Sequence, residues 1–137
     1  MKRLAFAAVA LVAVGLTACQ SKPPARVESA GGGGKSAALR SMEQVGRAAY
    51  QCWFASKDPA FRAYAFANEL NSHSGQPRFL LVPRRNFGGR PLLVVQARGN
   101  SARVESFGPL LDEPLGSRIN ADIARWAGGS SSCDASA

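Results

Sequence analysis

The chain has 137 residues, with 17 Lys and Arg against nine Asp and Glu and a formal net charge of +8. That length predicts one domain, and 46% apolar against 19% charged residues falls in the globular range rather than the disordered one. The composition excludes a collagen-like chain and a polytopic membrane protein, and a single His excludes a His-rich metal site.

Lys2 and Arg3 make a short positive start, after which Leu4 to Ala18 carries no charge. This run of about 15 residues is shorter than the roughly 20 that a bilayer-spanning helix needs. A positive start, a short apolar run and small residues behind it form the pattern of a secretory signal. The segment ends Leu16-Thr17-Ala18-Cys19, with Leu three before the cysteine and a small residue just before it. Here the sequence resembles the lipobox of bacterial lipoproteins. The resemblance implies cleavage between Ala18 and Cys19, a diacylglyceryl group on the Cys19 thiol and usually an acyl chain on the new amine. It implies attachment to a membrane through these chains, since each buried CH₂ contributes about 0.8 kcal/mol and two or more chains hold stably. Gln20 stands where an Asp retains lipoproteins of enteric bacteria at the inner membrane. The resemblance therefore implies the outer membrane, with the folded part facing the periplasm.

Residues 20–35 contain Pro23-Pro24 and Gly31 to Gly34, and Val27 is their only large apolar side chain. Such a stretch buries too little to order itself and predicts a flexible tether. Gly34-Lys35-Ser36 invites a phosphate-binding reading, but that loop needs G-x-x-x-x-G-K-[ST] directly after a strand. Ser29 stands where the first Gly belongs, and Pro23-Pro24-Ala25-Arg26 precedes it, so the segment reads as a linker entering a helix.

From Ser36 to Phe54, Leu39, Met42, Val45, Ala49, Cys52 and Trp53 recur in steps of three and four, the spacing of one helix face. Ser36 or Ser41 is placed to cap it. Asp58-Pro59 has the form of an N-cap followed by a first helical residue. Tyr64 to Leu70 alternates in the manner of a strand, although its alanines favour helix; the alternation predicts a strand. Arg78 to Val82 and Leu92 to Ala97 are short apolar runs bounded by Pro and Gly, as buried strands are. Gly99-Asn100 signals a two-residue hairpin, followed by a strand from Ala102 to Phe107. A second helix starts at Glu113-Pro114, carries Leu115, Ile119, Ile123 and Trp126 on one face, and stops at Gly128-Gly129. The expected fold is α+β: a small antiparallel sheet of three or four strands, covered by an N-terminal and a C-terminal helix. The expected organisation is a signal segment over 1–18, a lipidated Cys19 and tether over 19–35, one domain over 36–133 and a tail over 134–137.

With Cys19 lipidated, Cys52 and Cys133 remain as a pair in an oxidising compartment, which predicts a disulfide between the ends of the two helices. Arg78, Arg84, Arg85, Arg90, Arg98 and Arg103 fall in a stretch without Asp or Glu. They form a candidate patch for an anion, such as lipopolysaccharide phosphate, an anionic cell-wall polymer or an acidic protein. The plainer alternative is a solvated basic face. Export argues against nucleic acid as the partner. His73 sits beside Ser72 and Ser74 in a polar turn, where adjacent residues do not form an activated nucleophile. Too few ligands remain for structural zinc, and neither a cofactor nor a metal is expected. Trp53 and Trp126 fall on the apolar helix faces and read as core. The function these features point to is a non-enzymatic, membrane-anchored structural or adaptor protein that binds an envelope protein or anionic polymer. The alternative is an envelope hydrolase drawing its acids from Glu69, Glu105, Asp112, Glu113 or Asp122.

Overall fold

The computed structural model describes residues 34–71 and 74–134. The signal segment, Cys19, nearly all of the tether, His73 and the last three residues lie outside the described residues.

Ser36 opens the first helix: its Oγ accepts a hydrogen bond from the Leu39 backbone N–H at 3.1 Å, one of the donors that a helix start leaves unpaired. Ser41, the other candidate cap, instead donates its hydroxyl to the Ala102 carbonyl at 3.0 Å. Lys35 belongs with this helix rather than with the tether. Its ammonium pairs with Glu43 at 2.7 Å, and its carbonyl accepts from Arg40. Helix α1 spans Ala37–Ala49 and runs on into a π-helical turn over Tyr50–Ala55. Within that turn the neighbours Cys52 and Trp53 are both buried. Lys57, at φ 59°, ends it in a left-handed conformation, its N–H on the Phe54 carbonyl at 2.9 Å. The Asp58-Pro59 signal produces a single 3-10 turn over Pro59–Phe61, with the Asp58 carboxylate accepting from the Ala60 N–H at 2.9 Å.

Four antiparallel strands follow as a meander: β1 (Tyr64–Glu69), β2 (Arg78–Pro83), β3 (Leu93–Ala97) and β4 (Val104–Phe107), in the spatial order β1-β2-β3-β4. The pairing aligns Phe66 with Leu81, Phe79 with Val95, and Val95 with Ser106. Because side chains alternate along a strand, Phe79, Leu81, Leu93, Val95 and Ala97 enter the core while Leu80, Val82 and Val94 point to the opposite face. The hairpin between β3 and β4 is wider than a two-residue loop. Gly99 takes φ 57°, and Ser101 N–H closes a turn on the Arg98 carbonyl at 3.1 Å, but the ladder resumes only where Val104 meets Ala97. Val104 packs on the core, and the Ser41 hydroxyl holds the Ala102 carbonyl, which keeps Ala102 out of the ladder.

After β4 a 3-10 turn covers Pro109–Asp112, and helix α2 spans Gly116–Ala127, starting later than Glu113-Pro114 suggests. The reason lies at Glu113. A residue before proline is driven from the helical region, and Glu113 is extended at ψ 164°. At the far end Gly129 takes φ 101° and donates its N–H to the Trp126 carbonyl, turning the chain back. Both helices share one core cluster with the inner sheet face, so this domain has two layers, an antiparallel sheet and a helical layer. At its centre Trp53 stacks on Phe61 with ring centroids 4.5 Å apart and meets Trp126 at 5.1 Å. Both tryptophans are fully buried core residues.

Candidate functional site

Cys52 and Cys133 are brought to disulfide distance, with Cα atoms 5.2 Å apart across a sequence separation of 81 residues. That spacing lies inside the range a disulfide requires. The approach is built by α2 and the chain that leaves it. Trp126 donates Nε1–H to the Ser132 carbonyl at 2.8 Å, Arg125 donates to the carbonyls of Ser132 and Cys133, and Gln44 on α1 donates to those of Gly129 and Ser130. The segment is thus fixed at both helices before the cysteines are considered.

The six arginines of the candidate patch do not come together. Arg84, Arg85 and Arg90 lie in the loop leaving β2, at one end of the sheet. Arg78, at the start of β2, and Arg98 and Arg103, in the β3–β4 loop, lie at the other end. Strands of this length separate the two ends by about 17–20 Å. Sequence adjacency could not reveal this, because antiparallel neighbours carry their arginines from opposite directions. The two groups also differ in charge balance. Arg78 pairs with Glu69 at 2.5 Å and Arg98 approaches Glu105 at 3.9 Å, whereas Arg84, Arg85 and Arg90, and at the far end Arg103 alone, have no carboxylate partner among the described residues.

The carboxylates are held in separate places. Glu69 and Glu105 sit beside those arginines on the outer sheet face. Asp122 is buried and accepts from the Trp53 indole N–H at 2.8 Å and from Arg125 at 2.6 Å, with Arg118 at 3.7 Å. Sequence reading missed this cluster, yet its signal was present. Asp122 stands three residues after Ile119 and four before Trp126, on the apolar stripe of α2, where a carboxylate needs partners. Arg118 also bonds Asp58, 60 residues away in sequence, and lies over the Phe61 ring at 5.4 Å. That bond holds the Asp58 carboxyl below its usual 3.8 and raises Arg118. Asp112 is exposed, and Glu113 lines a hollow of about 590 Å³ with Arg118, Tyr64, Leu110 and Leu115. Among the described residues, no second carboxylate lines that hollow.

Among the described residues no group of three or more His, Cys, Asp and Glu side chains comes together, and no helix is long and apolar enough to cross a membrane. The Gly34-Lys35-Ser36 segment is used at the start of α1, Lys35 on Glu43 and Ser36 as the cap. No protein-family model, no curated protein and no solved structure matches the chain.

Proposed function

We propose that this chain is a lipoprotein of the bacterial cell envelope, anchored through lipid on Cys19, whose α+β domain serves as a structural or adaptor module on the periplasmic side of the outer membrane. The observation that carries the reading is Leu16-Thr17-Ala18-Cys19 behind a positive start and a short apolar run. The Cys52–Cys133 approach supports it independently, because a disulfide persists in an oxidising compartment such as the periplasm. A binding rather than catalytic role is supported by the carboxylates. Glu69 and Asp122 are each bonded by arginine and Glu105 lies exposed near Arg98, so the three do not converge on one hollow.

Fatty-acid labelling of the producing bacterium tests the anchor. The wild-type chain takes up label, and Cys19→Ser takes up none and accumulates with its signal segment attached, because the thiol is the acyl acceptor. Equal labelling of the two chains contradicts the proposal.

A further inference from the structure

One end of the sheet concentrates positive charge that no carboxylate among the described residues pairs with. Arg84 donates its backbone N–H to the Ala63 carbonyl at 2.9 Å and its Nε–H to the Tyr64 carbonyl at 3.3 Å, which sets Arg62 alongside it. Lys57, Arg62 and Arg84 line one shallow hollow of about 430 Å³, and Arg62, Arg84 and Arg85 line a second of about 640 Å³. Arg90 follows in the same loop as Arg84 and Arg85. All five basic residues are exposed, and none pairs with a carboxylate among the described residues. The acid that lines the first hollow, Asp58, is already bonded to Arg118. A merely solvated basic face would have counter-charges interspersed, as the far end does with Glu69 and Glu105.

The same loop carries Phe87 at its tip. A turn closed by the Gly89 N–H on the Asn86 carbonyl at 2.9 Å presents the ring outward, and Phe87 is 61% exposed, more than any other large apolar residue described. Guanidinium groups fork onto phosphate oxygens, and an aromatic side chain rests well at the boundary between headgroups and acyl chains. Charge alone would serve any polyanion, but a soluble polyanion offers the ring nothing apolar, whereas a bilayer offers both contacts together.

We propose that Lys57, Arg62, Arg84, Arg85 and Arg90, together with Phe87 of the loop that carries the last three, form a docking surface for an anionic lipid bilayer. The surface sits at the end of the helical stretch opposite Ser36, where the tether joins, about 30 Å away at the rise of a helix. It acts on headgroup phosphates directly and does not require lipid on Cys19, so the two proposals stand or fall separately.

The test is sedimentation of the chain from Gln20 onward, which keeps the whole compact unit that begins at Gly33, with vesicles of phosphatidylcholine containing or lacking phosphatidylglycerol. The wild type partitions onto phosphatidylglycerol vesicles, is released by salt and ignores pure phosphatidylcholine. Arg84→Glu/Arg85→Glu lowers that partitioning roughly tenfold or more. Arg62→Glu/Arg90→Glu does the same and touches no hydrogen bond of the fold. Phe87→Ser lowers vesicle binding severalfold and leaves binding to soluble polyphosphate unchanged. Charge-reversed variants that sediment like the wild type overturn the proposal. So does vesicle binding indifferent to Phe87 and matched by polyphosphate, which would assign the surface to a soluble polyanion.

Discussion

Trp126 donates its indole N–H to the Ser132 carbonyl at 2.8 Å, and the residue after that carbonyl is Cys133. The core tryptophan of α2 therefore sets the path of the chain that reaches back to Cys52 on the first helical stretch. This bond couples core packing to the staple, alongside those that Arg125 and Gln44 make to the same segment.

The staple has a measurable worth. Closing a loop of this size with a disulfide contributes about 4–5 kcal/mol in the chain-entropy model, less any strain. Cys52→Ser/Cys133→Ser should lower the unfolding free energy by a few kcal/mol, read as an earlier urea midpoint, while far-UV circular dichroism keeps the signature of helices and sheet. Both thiols reacting with an alkylating agent without prior reduction would refute the bond in the mature protein.

Asp122 is the second place where stability is concentrated. Asp122→Ala leaves the buried Trp53 N–H without its acceptor and Arg125 with only the Ser132 and Cys133 carbonyls, and should cost about 3 kcal/mol. Asp122→Asn keeps an oxygen for Trp53 and should cost less. Chemical denaturation of the three proteins checks the order; equal stability of alanine variant and wild type would contradict it.

Acid stability should depend on Asp58. Its folded carboxyl lies below the usual 3.8, chiefly because Arg118 bonds the charged form. The folded state thus binds the proton more weakly than the unfolded chain. The contribution is present in full above the unfolded value and is lost as pH falls through the lowered folded one. Asp58→Asn, which still caps the Pro59 turn, should flatten the fall in urea midpoint below about pH 4. Parallel acid limbs for the two proteins would contradict the pairing.

Lys57 offers a gain. A side chain at φ 59° carries strain that glycine does not. Lys57→Gly should raise the unfolding free energy by about 0.5 kcal/mol, glycine's looser unfolded chain offsetting part of the relief. A lower melting temperature would contradict this.

Much of the fold was legible because it is written in short-range pattern. The step of three and four from Leu39 to Trp53, the alternation at Tyr64, Phe66 and Leu70, and the apolar runs around Leu81 and Val95 all produced the expected elements. Boundaries moved where local backbone chemistry intervened, as at Glu113 before Pro114. The π-helical turn over Tyr50–Ala55 left no signal, because its apolar spacing matches that of an ordinary helix end. The surface was less legible than the core. Lys57 and Arg62 join Arg84 only through the β1–β2 register, while Arg78, Arg98 and Arg103 leave it for the same reason. Likewise, nothing in sequence links Asp58 to Arg118, which the packing of α2 beside the Pro59 turn brings together.

The central claim, anchoring through Cys19, is tested most directly by the intact mass and N-terminal peptide of the protein extracted from envelope membranes. The account predicts a chain that begins at Cys19, its thiol carrying a diacylglyceryl group and its amine an acyl chain. An N-terminus at any other residue, or an unmodified Cys19 thiol in the membrane-extracted protein, would contradict it.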